Sequence, residues 1–299
     1  MLQPTVCAEE LLELRGLRPA PETTWRQMRE FSGPAPTELD AMRATVEPLL
    51  RHANEMVVAT YDHLLATRET AAILGWEHGP DPEHLAERRR FFAIWLARTL
   101  GLDFGDDFAR YLFHAGQLHA GHGPRRVDVP DRYVTGSIGL VISAFAGYIS
   151  AEHGGGEPAA RAVAGWNKYL LMQLEQMLAG RLVAKELDQG EAALPVRLYG
   201  RMRDLAGRRE LVVHGRHETT VADVLRKFFD YLPALREEAL DRAWHEEIDP
   251  ASLWSAVEPV YLPRRGWRVL VNGRDVAFER GFATPVGDGD TVDLFPPGR

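Results

Sequence analysis

Lys185-Glu186-Leu187-Asp188-Gln189-Gly190-Glu191-Ala192-Ala193-Leu194-Pro195 is the stretch at which the chain changes its period. Before it, apolar residues recur every three or four positions; after it they alternate. The stretch itself loses periodicity, gains charge and ends in glycine and proline punctuation, as an interdomain boundary does. Length agrees: 299 residues with 45% hydrophobic content exceed one ordinary domain of ~100–150 residues and suffice for two cores.

Working upstream, Val57, Tyr61, Leu64 and Leu65 fall at i, i+4, i+7 and i+8. Phe92, Trp95, Leu96 and Leu100 line a second helical stripe, and Val163, Trp166, Leu170, Leu174 and Met177 a third, behind Gly154-Gly155-Gly156. Pro130-Asp131 opens a further helix whose residues 133–151, 19 in all, carry no charge, close to the ~20 that a membrane-crossing helix needs. Gly136, Gly139, Gly147, Ser137, Ser143 and Ser150 dilute its apolarity, so a buried core helix explains it equally well.

Downstream, Val196, Leu198, Gly200 and Met202 alternate with Arg197, Tyr199 and Arg201, and Leu211 and Val213 begin a second strand. Thr220, with Asp223 as capping-box partner, starts a helix whose Val224, Leu225, Phe228 and Leu232 face inward, up to Pro233. Trp267, Val269 and Val271 alternate again, Asn272-Gly273 signals a tight turn, and Val292 with Leu294 supplies a last strand. Residues 241–266, with Trp244, Trp254 and Tyr261, match neither period.

Composition narrows the function. Lys plus Arg number 35 against 43 Asp plus Glu, a net charge of -8, which disfavours a sequence-independent grip on nucleic acid phosphates. The single cysteine, Cys7, cannot form an internal disulfide or a multi-thiolate metal site and fits a reducing cytosol. Glu9, Glu10 and Glu13 near the start do not suit an export signal, so a cytoplasmic location is expected. Neither a glycine-rich phosphate loop before a helix nor a Gly-x-Ser-x-Gly elbow occurs.

Three histidines cluster in Tyr111-Leu112-Phe113-His114-Ala115-Gly116-Gln117-Leu118-His119-Ala120-Gly121-His122. On a helix His114 and His122 share a face and His119 lies off it, a poor arrangement for one shared zinc. A single neutral imidazole in an apolar pocket suits a haem iron, which needs one protein ligand and leaves the opposite side open to a gas. His119 is the best placed of the three, although a satisfied core or surface histidine fits the same spacing. Tyr61, on an apolar stripe, has a hydroxyl in need of a partner: dioxygen, a water or a backbone carbonyl.

Residues 20–182 resemble the globin domain of globin-coupled sensors and, more closely, the protoglobins. Thr60-Tyr61-Asp62-His63-Leu64-Leu65 is similar to their distal-tyrosine helix, Arg90-Phe91-Phe92-Ala93-Ile94-Trp95 to the helix over the haem, and Gly116-Gln117-Leu118-His119 to the proximal-histidine motif. Val129-Pro130-Asp131-Arg132-Tyr133 is similar to the start of the following helix, which makes 133–151 core rather than membrane. The resemblance implies haem b, with His119 on the iron, Tyr61 facing a diatomic gas, and Phe92, Trp95 and Tyr133 around the porphyrin. It also implies pairing of two copies through 133–152 and 157–184. One departure is Thr60, where protoglobins often carry a tryptophan.

Residues 194–299 resemble the ubiquitin-like β-grasp sulfur carriers related to the small subunit of molybdopterin synthase. The resemblance rests on Val196-Arg197-Leu198-Tyr199-Gly200, Leu205-Ala206-Gly207, Thr220 to Leu225, Leu270-Val271-Asn272-Gly273-Arg274 and Gly289 to Pro297. Working carriers end in Gly-Gly, whose thin tail threads into partner active sites; this sequence reads Gly298-Arg299, so a protein-interaction role is expected in place of sulfur transfer.

The fold expected is therefore an all-α, protoglobin-like domain over 1–185, a linker over 186–195 and an α+β ubiquitin-like β-grasp domain over 196–299. The function expected is a haem-binding gas or redox sensor whose β-grasp domain meets a protein partner. The alternative is a sulfur-carrier or molybdenum-cofactor biosynthesis component with a regulatory or structural globin. An enzymatic globin is the weaker reading, since no distal acid–base pair is evident for peroxide cleavage.

Overall fold

The computed structural model describes residues 10–248 and 255–296; Cys7, Trp254 and the Gly298-Arg299 tail lie outside these residues. The chain forms two compact units, Pro21–Leu182 and the pair of segments Met1–Ala20 and Val183–Arg299. The first is helical, the second α+β.

The helical unit is built from α1 (Pro21–Ser32), α2 (Pro36–Arg51), α3 (Ala53–Ala66), α4 (Arg68–Ile73), α5 (Pro82–Leu100), α6 (Asp106–His119), α7 (Asp131–His153) and α8 (Glu157–Leu187) up to Leu182, the rest of α8 belonging to the second unit. Pro21, Pro36 and Pro82 each open a helix, where the fixed φ suits and no N–H is missed. At α5 the cap is complete: the Asp81 carboxylate accepts from the Glu83 amide at 3.0 Å. The core is aromatic, and its polar atoms find partners. Trp25 Nε1 donates to the Phe104 carbonyl at 3.0 Å, the Tyr169 hydroxyl to the Asp103 carbonyl at 2.7 Å, and Trp166 Nε1 to Thr45 Oγ1 at 2.9 Å.

Helices α6 and α8 meet backbone to backbone. A Cβ on Gly116 would stand 1.9 Å from the Met177 carbonyl oxygen, and one on Gly180 would stand 1.9 Å from that of Phe113. Only glycine permits this approach, and it sets the position of the end of α6. On α7, Val134, Ile138, Val141, Phe145 and Ile149 form one buried stripe. Among the described residues α7 is the helix long and apolar enough to cross a membrane by length and composition.

The α+β unit contains β1 (Ala192–Leu198), α9 (Gly200–Ala206), β2 (Glu210–Gly215), α10 (Val221–Tyr231), β3 (Leu240–Ile248), β4 (Ser255–Pro263), β5 (Arg268–Val271), β6 (Arg274–Asp275) and β7 (Val292–Phe295). Its main sheet runs β2-β1-β7-β5-β6, with β1 parallel to β7 at the centre and antiparallel to β2. Thr220 and Asp223 form the expected capping box: the Asp223 amide donates to Thr220 Oγ1 at 3.3 Å and the Thr220 amide to Asp223 Oδ2 at 3.0 Å. Helix α10 buries Val221, Val224, Leu225, Phe228 and Phe229, and Lys227 Nζ donates to the His214 carbonyl of β2 at 2.6 Å. Asn272 and Gly273 link β5 to β6 with φ of +50° and +81°, the left-handed pair a two-residue hairpin turn requires.

Two details differ from the sequence expectation. The alternation read from Val196 to Met202 stops at Leu198: Gly200–Ala206 turns into α9, which buries Met202 and closes on Gly207 at φ +63°. Of residues 241–266, which matched no pattern, the described stretches 241–248 and 255–263 lie in an antiparallel ribbon of β3 and β4. Leu14 joins it, exchanging backbone hydrogen bonds with Tyr261 at 2.9 and 3.0 Å.

Replacing Gly116 by Ala should lower stability by about 1–3 kcal/mol through overpacking. Gly147→Ala, where a Cβ meets nothing within 4 Å, should be neutral or stabilising, because alanine is the better helix former. Urea denaturation followed by circular dichroism checks both.

Candidate functional site

The stripe on α3 turns Tyr61 inward, leaving it 8% exposed. Its ring meets Phe92 of α5 edge-on at 6.2 Å and Trp76 at 6.3 Å; Phe92 in turn lies 5.2 Å from Trp95. Among the described residues the Tyr61 hydroxyl has no hydrogen-bond partner. Burial pushes its pKa up to about 12, against the pull of Arg88 and Arg89, so the phenol keeps its proton at neutral pH.

Thr60, the departure from the protoglobin pattern, is satisfied within its own helix, its Oγ1 donating to the Met56 carbonyl at 2.8 Å. The indole beside Tyr61 comes from Trp76 instead. Trp95 is buried and anchored, with Nε1 donating to Gln173 Oε1 at 2.8 Å. Tyr133 stands apart from this aromatic group: its hydroxyl bonds the Glu69 carboxylate, and the Arg132 guanidinium lies 4.8 Å from its ring.

His119 is the last residue of α6. Its Nδ1 is buried and has no hydrogen-bond partner, although the ring as a whole keeps partial access. Burial first, and then the charge of Arg88, lowers its pKa to about 4, while the Ala115 carbonyl one turn back acts in the opposite direction. The imidazole is therefore neutral at physiological pH, the form that donates a lone pair to a metal. Its backbone is clamped: the His119 carbonyl accepts from the Val129 amide at 2.7 Å and from Arg181 Nη1 at 2.9 Å. Arg181, buried, also holds Asp128 at 2.6 Å and bonds Asp131.

Arg88 relates the two halves of the site, because its charge acts on both Tyr61 and His119. The sequence reading missed it, along with Trp76, His84, Arg89, Gln173, Gln176 and Arg181. A signal existed for two of them: His84 and Arg88 stand at i-8 and i-4 from Phe92, on the same face of α5. Gln173 and Gln176 are wholly buried, with Gln173 Nε2 and both polar atoms of Gln176 unpartnered.

The residues present fit a haem. A neutral imidazole without a partner at Nδ1, a phenol without a partner, and the aromatic rings around that phenol suit a flat apolar macrocycle held by one protein ligand. Arg181→Met should cost about 1–3 kcal/mol, since it removes charged hydrogen bonds to the His119 carbonyl and Asp128. Urea denaturation gives the magnitude. The loss should shrink in an Asp128→Asn background, where the partner charge is already gone.

No curated protein matches the chain. Among solved structures, the small archaeal modifier protein 1 from Methanosarcina acetivorans is similar at 26% identity over 36% of this chain and 93% of its own, with a TM-score of 0.27. The Haloferax volcanii HVO 2177 protein is similar at 27% identity over 38% of this chain and 89% of its own, with a TM-score of 0.27. The ThiS family model matches residues 196–298, the α+β part of the chain. The protoglobin family model matches residues 22–186, more than half of the chain and the whole of the Tyr61–His119 arrangement, and the chain belongs to the protoglobin family.

Proposed function

We propose that this chain binds haem b through His119 and holds a diatomic gas against Tyr61, as a gas or redox sensor whose ThiS-like β-grasp part meets a protein partner. One observation carries the reading: an imidazole whose Nδ1 is buried without a partner and a buried phenol without one, both ringed or flanked by apolar side chains, feel the same charge, that of Arg88. A haem iron with one imidazole ligand supplies an open side at which a diatomic gas binds.

The chain's own residues do the rest. The neutral His119 ring offers a nitrogen lone pair to the iron, and the Ala115 carbonyl one turn back on α6 acts on the same ring. Tyr61 donates its hydroxyl hydrogen to the gas, and the rings of Phe92, Trp76 and Trp95 exclude water from that hydrogen bond, which strengthens it. A sensing role further requires that the gas-bound and gas-free states differ in some contact the β-grasp part reads, since a ligand shifts only equilibria it binds unequally.

The purified protein should show a Soret band that moves on reduction and on addition of carbon monoxide. His119→Ala should lose that band or its response. An unchanged spectrum in the variant contradicts the assignment. Tyr61→Phe should keep the haem but release dioxygen about 10-fold faster, the value of one hydrogen bond of about 1.4 kcal/mol; stopped-flow absorbance reads the rate.

A second reading follows from the ThiS family match over 196–298: the α+β part carries sulfur, and the helical unit regulates or supports it. Intact mass spectrometry after incubation with a carrier-activating enzyme tests it. A C-terminal thiocarboxylate favours this reading, and an unchanged mass excludes it for that enzyme.

A further inference from the structure

His84 is a buried side chain to which the gas-binding reading gives no task. Its ring stands between two donors: Trp76 Nε1 points at Nδ1 from 3.1 Å, and Arg88 Nε points at Nε2 from 3.0 Å. A neutral imidazole has one acceptor nitrogen, because the other carries a hydrogen, and a protonated ring has none. Burial and the charges of Arg88 and Arg125 hold His84 neutral, below its ordinary range. One of the two donors therefore faces an N–H rather than a lone pair.

Arg88 is the donor able to leave. The Trp76 indole is 3% exposed and has a single N–H, whereas Arg88 has five N–H groups on a flexible stem. Among the described residues Arg88 forms no ion pair, and nearby carboxylates are engaged elsewhere. Arg125 holds Glu87 at 2.9 Å and Asp81 at 3.7 Å. Arg89, next to Arg88 in sequence, is short of partners too: among the described residues its ion pair is with Asp62, at 3.6 Å, and its Nε is buried without a hydrogen bond. Two guanidiniums, Arg88 without an ion pair and Arg89 with one long one, thus stand a turn before Phe92 on α5, and the charges of both act on Tyr61.

We propose that Arg88, with Arg89 beside it, is the carboxylate clamp of this pocket: it exchanges His84 Nε2 for an acid group carried by the ligand. The inference rests on the haem reading, in which those acid groups are the two propionates of the porphyrin. Release of Arg88 leaves His84 a plain acceptor for Trp76, whose indole packs on Tyr61. Occupancy of the clamp is thereby linked to the order of the tyrosine that meets the gas.

The test is uptake of haem and of haem dimethyl ester, which has the same ring and iron but no free carboxylates, by the full chain and by Arg88→Met and Arg88→Lys. Quenching of tryptophan fluorescence reads the affinity. Arg88→Met should weaken haem by about 10- to 100-fold, as loss of a charge-assisted hydrogen bond does, and should change the ester by less than about 2-fold. Arg88→Lys should recover part of the loss for haem alone. An equal loss for both compounds would make Arg88 a merely structural residue and overturn the proposal, as would no loss for either, while the haem reading stood. Wild-type protein that takes up neither compound overturns the haem reading itself, and the clamp with it.

Discussion

The contact on which the site depends is the backbone crossing of α6 and α8. Gly116 and Gly180 bring each helix against a carbonyl of the other, so close that a single Cβ on either would stand 1.9 Å from oxygen. That crossing fixes the axis of α6, and His119 is its final residue. Arg181, on α8 one residue beyond Gly180, then ties the His119 carbonyl and Asp128 together. A metal-bound imidazole is usually oriented by a hydrogen bond from its second nitrogen; His119 Nδ1 has none, so the placement of its backbone matters more. Here α8 supports that placement twice, once by steric fit and once by charge.

The chemistry of the pocket follows from burial. The same apolar surroundings that keep His119 neutral keep Tyr61 protonated, one by lowering a pKa and the other by raising it. A lone-pair donor and a hydrogen-bond donor thus coexist without a proton passing between them. Arg88 acts on both, and the opposed donors at His84 leave its present hydrogen bond contested.

Much of this was legible in the sequence, and the exceptions have physical causes. The stripes containing Tyr61, Phe92 and Trp95 stand out because burial repeats with the helical period. The change of period near Lys185 announces the β-grasp part, and the turn at Asn272-Gly273 can be read because few residues accept two positive φ values. His84 and Arg88 went unread because they are polar interruptions of an apolar stripe, and a periodicity argument passes over them. Gly116 and Gly180 carry no signal until it is known which helices cross. The ribbon of β3 and β4 is a separate two-stranded sheet, and Asp241, Arg242 and His245 with exposed Trp244 on one strand leave no alternation to detect. In α9 a three-residue alternation could not distinguish a strand from the first turn of a helix.

The most direct test of the central claim, that His119 is the single protein ligand to a haem iron, is the resonance Raman spectrum of the reduced, haem-loaded protein. The account predicts an iron–imidazole stretching band that His119→Gly abolishes and that added free imidazole restores in the emptied position. Persistence of the same band in His119→Gly would place the iron on another residue and contradict the account.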